Sequence, residues 1–196
     1  MAIRTMSETS EWSCRTPTHK TSAHRPQGGA HQRPPEGVFV YVYTKSMQIK
    51  TDVSYGVIPL FQTEGGEWEV LVIHQYGSKG DVYWGFPKGH AELGEEPVEA
   101  ARRELLEETA ISDIKIDSSR SFTQHYTFVY CGTRIKKTVQ YFVGYAGSKA
   151  LTLQAKELKD AQWCSFTTAR ERLTHDATRK MFDEVVSYLK EKNFSS

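Results

Sequence analysis

The 196 residues carry 25 basic and 24 acidic side chains, a formal charge of +1. That balance excludes global steering toward nucleic acid, so no stable nucleic-acid partner is expected and recognition of any anion must be local. No apolar run approaches the roughly 20 residues of a membrane span, and Cys14, Cys131 and Cys164 are scattered without metal or redox spacing, so the expectation is a soluble, cytoplasmic protein with no membrane partner.

Residues 1–46 are rich in Ser, Thr, His, Arg, Pro and Gly and nearly free of aliphatic periodicity. They are expected to be a disordered extension, with one folded domain over residues 47–196 and Met47 as an alternative start. Prolines and the lack of an amphipathic apolar face argue against a transit peptide. Regular structure is expected from a strand at 53–62, a turn at 64–67 and a returning strand at 68–74. The run Trp84-Gly85-Phe86-Pro87-Lys88-Gly89-His90 then reads as a loop with two glycines, a rigid turn residue and two side chains suited to phosphate.

A helix opens near Pro97, where the missing N–H does no harm and Glu95 and Glu96 favour the positive helix end; Val98, Ala101 and Leu105 form its buried stripe. Strands follow at 114–117, 122–130 and 137–145, the last two paired about a turn at 131–133, then a short strand at 161–166 and a short helix at 167–173. Asp176 opens a final helix whose apolar stripe is Met181, Val185, Val186 and Leu189. His74 and His125 read as ordinary sheet residues. Arg134, Lys136 and Lys137 read either as a basic rim over phosphates or as a solvated hairpin tip. The order implies an α/β fold, a mixed β-sheet sandwiched between helices.

The chemistry concentrates in GHAELGEEPVEAARRELLEETAI, from Gly89 to Ile111. Glu104, Glu107 and Glu108 stand at i, i+3 and i+4, so they project from one helix face within about one turn. Like charges at that spacing cost roughly 0.2–0.5 kcal/mol per pair in an isolated helix, which calls for a cation. Magnesium suits the arrangement, because it is held by one or two carboxylates plus substrate phosphates rather than by a full protein cage. Arg103 can pair with Glu107 at i, i+4.

Gly89, Glu95 and the run Arg103-Glu104-Leu105-Leu106-Glu107-Glu108-Thr109-Ala110-Ile111 resemble the Nudix box of the Nudix hydrolase family, with Ala110 where the family has glycine. If the backbone there is left-handed, Ala110 costs on the order of 1 kcal/mol. The resemblance implies an α/β/α sandwich and Mg2+-dependent cleavage (Mn2+ as a substitute) of a nucleoside diphosphate linked to another group. It implies Glu104 and Glu108 as principal ligands, Glu107 as a further ligand or general base, a backbone carbonyl of Lys88 or Gly89 as another ligand, and Arg103 with Glu95 as the pair that orients the cluster.

Flanking residues are similar to those of asymmetrical dinucleoside tetraphosphate hydrolases: the segment 87–90, Lys137-Thr138-Val139 with Tyr141, and Glu157 ahead of Trp163. That resemblance implies Lys88 and Tyr141 as phosphate partners, His90 as a phosphate contact or proton donor, Trp84, Tyr76 or Tyr126 as base platforms, and Glu157 as a ligand or base. A nucleotide polyphosphate such as diadenosine tetraphosphate, cleaved to ATP and AMP, is the expected substrate. The alternatives are the 5′ end of triphosphorylated RNA, a diphosphoinositol polyphosphate, an oxidised nucleotide, or a module that binds a nucleotide without cleaving it.

Overall fold

The computed structural model describes residues 48–77, 80–154 and 158–192. The chain divides into Met1–Met47 and Gln48–Ser196; the disorder expected for residues 1–46, and Glu157, lie outside the described residues. The second unit runs β1 (Ile49–Gln62), β2 (Trp68–Tyr76), β3 (Val82–Gly85), β4 (Lys88–Gly89), α1 (Pro97–Thr109), β5 (Ile114–Tyr130), β6 (Thr133–Ala146), β7 (Leu158–Ser165), α2 (Phe166–Arg172) and α3 (Asp176–Glu191). Among the described residues no helix is long and apolar enough to cross a membrane.

Successive side chains of a strand point to opposite faces, and that alternation sorts the core in two. Val57, Leu71, Ile73 and Phe142 meet Ala101 and Leu105 of α1 on one face. Ile58, Val70, Val72, Val139 and Val143 meet Ala169 of α2 and Met181, Phe182, Val185 and Leu189 of α3 on the other. Full burial of one such side chain contributes about 1.5–3 kcal/mol, so both helical layers are held firmly. The expected sandwich is therefore present. The α3 stripe also takes in Phe182 and Tyr188, whereas Val186 is only half-buried.

The sheet is mixed because β1 runs parallel to β6, from Ile49↔Arg134 to Leu60↔Tyr145, while β5 and β6 are antiparallel. β1 and β2 pair only next to their turn, from Leu60↔Val70 to Gln62↔Trp68. β2 pairs with β7 along most of its length and with β3 toward its end, and β1 pairs with β4 through Tyr55↔Gly89 and Gly56↔Lys88. Backbone left unpaired on those edges would be costly, so the segment expected as a loop folds into two short strands instead. Gly56 permits the approach: a Cβ there would sit 2.3 Å from the Pro87 carbonyl and 2.6 Å from the Tyr141 ring. The strands expected separately at 114–117 and 122–130 are one strand, with a bulge between Asp117 and Ser121.

Candidate active site

α1 begins at Pro97, as its missing donor favours, and ends where Ala110 turns left-handed at φ 59° with its N–H donating to Leu106 at 2.8 Å. Burying Ala101 and Leu105 against β1 and β2 fixes the helix rotation and aims its glutamates at β4. Glu108 is 4% exposed and accepts the Lys88 N–H at 3.2 Å. Glu104 lies against Gly89 so closely that a Cβ there would be 1.9 Å from its carboxyl carbon. Any side chain at 89 would displace the Glu104 carboxylate from this approach.

Arg103 ties the cluster together. Its Nε and Nη2 donate to the two carboxylate oxygens of Glu95, each at 3.0 Å, Nη1 donates to Glu104 at 3.0 Å and to Glu107 at 3.1 Å, and Nη2 also reaches the His90 carbonyl at 2.7 Å. The hydrogen-bonded Glu95, then Glu104 and Glu107, raise the Arg103 pKa further, and Arg103 holds Glu95 below the usual carboxylate range. The pairings expected of Arg103 with Glu95 and with Glu107 are both present, and Glu104 is an additional partner. The three glutamates share the helix face but do not converge: Glu107 is 52% exposed beside Arg103, while Glu108 turns inward to β4. Among the described residues no group of three Asp, Glu, His or Cys side chains forms a ready metal cage. The donor set still fits a hard divalent ion that needs few protein ligands, since Glu104 and Glu108 both lie at the Lys88–Gly89 backbone and supply only oxygen.

Lys88 projects among aromatic and polar groups. Its Nζ donates to Gln75 Oε1 at 2.9 Å and lies 5.8 Å from the Tyr83 ring centroid. Burial disfavours the ammonium, but the surrounding Tyr83, Tyr141, Glu108 and Tyr126 outweigh it and leave the Lys88 pKa above that of an ordinary lysine. Tyr141 is 1% exposed, its ring edge-on to Phe86 at 5.8 Å, and burial pushes its phenol up. That makes it a core residue behind Lys88, not an open phosphate partner.

His90 places Nε2 2.7 Å from Asp52 Oδ1 and 3.2 Å from Lys137 Nζ. Lys137 donates to Asp52 Oδ2 and to Ser54 Oγ, both at 2.7 Å. Burial disfavours the Asp52 carboxylate, yet Lys137 and His90 outweigh that and depress its pKa; burial, helped by Lys88, depresses Lys137 against the pull of Asp52. Lys137 is 7% exposed, which settles the open alternatives: it is neither part of a solvated tip nor of an outer rim.

Trp84 does not offer a free ring. His74 stacks on it at 4.7 Å and 2°, Arg172 lies 5.2 Å from its centroid, and the Trp84 backbone N–H donates to Thr174 Oγ1 at 2.9 Å. These contacts leave Trp84 as a wedge between His74 of β2 and Arg172 of α2 rather than a base platform, and give His74 a specific partner. Tyr76 is 49% exposed at the end of β2, and Tyr126 is 37% exposed beside Lys137 in the sheet register. Sequence reasoning missed Asp52, Ser54, Gln75 and Tyr83. For Asp52 and Ser54 the signal was available, because they continue the period-two pattern of Ile58 toward the same face.

The NUDIX domain model matches residues 50–185. Among curated relatives, an RNA pyrophosphohydrolase of Bartonella henselae is 36% identical over 78 residues, 38% of this chain and 44% of its own. MutT4 of Mycobacterium tuberculosis, named as a candidate mutator protein, is 29% identical over 121 residues, 60% of this chain and 48% of its own. The chain thus spans about half the length of the curated relatives it matches. Of solved structures, a C. elegans Ap4A hydrolase binary complex aligns with a TM-score of 0.60 at 21% identity, over 71% of this chain and 98% of its own, a likeness of fold. With the box residues gathered about Arg103 and the domain model spanning the sheet and its helices, the chain belongs to the Nudix family.

Proposed function

We propose that the protein is a magnesium-dependent pyrophosphohydrolase that cleaves a dinucleoside polyphosphate, with diadenosine tetraphosphate and water giving ATP and AMP. The observation that carries the reading is the junction of two half-sites at β4: Glu108 accepts the Lys88 N–H, while the Lys88 side chain extends to Gln75. Carboxylates of α1 for a cation and the β4 ammonium for phosphate therefore meet at one two-residue strand. The fold shared with an Ap4A hydrolase supports the substrate class.

In this reading Glu104 and Glu108, with the Lys88 or Gly89 carbonyl, would hold Mg2+, or Mn2+ in its place, and Glu107, paired with Arg103, acts as the base. The ion supplies Lewis acidity toward phosphate oxygens and lowers the pKa of water. Arg103 keeps the glutamates in register, Lys88 neutralises a phosphate oxygen, and His90, next after β4, contacts the chain. Water attacks phosphorus, the bridging P–O bond breaks toward the departing nucleotide, and Glu107, the exposed carboxylate of the cluster, takes the water proton. Glu157 remains the second base candidate. Tyr76 and Tyr126 are the base platforms, both exposed.

The Bartonella relatives favour a second reading, removal of phosphates from the 5′ end of RNA, against which stands the formal charge of +1. A phosphate-release assay with product analysis decides among diadenosine tetraphosphate, triphosphorylated RNA, a diphosphoinositol polyphosphate and oxidised dGTP, with Glu108→Gln as control. Formation of ATP and AMP, lost in the variant by at least roughly 100-fold, supports the first reading. Activity on RNA alone selects the second, and inactivity on all four leaves a nucleotide-binding module.

A further inference from the structure

Asp52 is a carboxylate in contact with His90, a residue read above as meeting phosphate. Its side chain is 13% exposed and that of Lys137 7%, their charged atoms are 2.7 Å apart, and Ser54 fixes the ammonium from a second side. Asp52, Lys137 and Tyr126 are neighbours across β1, β6 and β5, so the sheet register holds the pair in place. The other Asp52 oxygen lies 2.7 Å from His90 Nε2, which is itself 3.2 Å from Lys137 Nζ, so Asp52, Lys137 and His90 form one cluster. The Asp52 carboxylate thus stands where a phosphate oxygen would stand if Lys137 served the substrate.

We propose that Asp52 is a specificity-determining residue that withholds Lys137 from the polyphosphate and so limits the affinity of the site for highly anionic chains. Lys88 is then the lysine of the site that meets phosphate. The proposal rests on the phosphate-site reading above and deepens it, and it accounts for the pairing of buried Lys137 with a carboxylate of its own chain at 2.7 Å.

The test measures binding of inorganic tripolyphosphate without metal, by thermal shift and calorimetry, to the wild-type protein, Asp52→Asn and the double variant Asp52→Asn/Lys137→Gln. Asp52→Asn leaves the ammonium unmatched and is expected to bind roughly tenfold more tightly than wild type, a gain that shrinks with added salt. The double variant restores a neutral pair of similar shape and is expected within about twofold of wild type. Equal or weaker binding by Asp52→Asn overturns the proposal. So does a large loss in the double variant, which would mean that Lys137 already serves phosphate. If Asp52→Asn does not fold, the double variant decides alone by the same criterion. Absence of hydrolysis on every substrate would remove the functional reading and leave this binding comparison standing.

Discussion

Arg103 of α1 and Glu95, just before that helix, meet fork to fork, Nε to Oε1 and Nη2 to Oε2, both at 3.0 Å. With two nitrogens fixed on Glu95, the remaining Nη1 is aimed at Glu104 and Glu107. A lysine has no planar fork and cannot make this set of contacts. Arg103→Lys is expected to keep the fold by circular dichroism and to lower kcat by roughly 10–100-fold, the range for a residue that orients metal ligands. Turnover within about twofold of wild type would show that the glutamates hold their places without it.

Gly89→Ala tests the contact between β4 and Glu104. The new Cβ would overlap a carboxylate rather than backbone, so Glu104 must swing away while β4 stays paired with β1. A fall in kcat of roughly 10–100-fold with an unchanged unfolding midpoint is expected. A change confined to stability would place the clash elsewhere.

Ala110→Gly should stabilise the protein. Ala110 holds φ 59° at the end of α1, where a Cβ is strained and glycine is not. Chemical denaturation is expected to show a gain of up to about 1 kcal/mol, offset in part by the greater freedom of glycine in the unfolded chain. A loss of stability would mean that Ala110 makes a packing contact worth more than its strain.

Asp117 makes stability depend on acid. The Ser119 hydroxyl, then Lys192, lowers its pKa from 3.8 to about 2. A carboxyl with a depressed folded-state pKa contributes stability above its unfolded value and loses it as pH falls through the folded one. Unfolding free energy is expected to decline between about pH 4 and pH 2, and Asp117→Asn should flatten that decline. Identical acid profiles for the two proteins would show that Asp117 ionisation is not linked to folding.

What the amino-acid order determined by itself was local. Pro97 set the start of α1, the i, i+3, i+4 spacing of Glu104, Glu107 and Glu108 put them on one face beside Arg103, and alternation along β1, β2 and β6 divided the core between two helical layers. Each depends on helix or strand periodicity within a few residues, which a sequence displays directly. Tertiary structure decided the rest. Lys137 meets Asp52 across 85 residues, Trp84 is wedged between His74 and Arg172, and Tyr141 is closed into the core behind Lys88. Those outcomes follow from which strands pair and in what register, a long-range choice made by burying both sheet faces at once. The same lysine, tryptophan and tyrosine could line a phosphate cleft or support it from behind, and only that register assigned them to support.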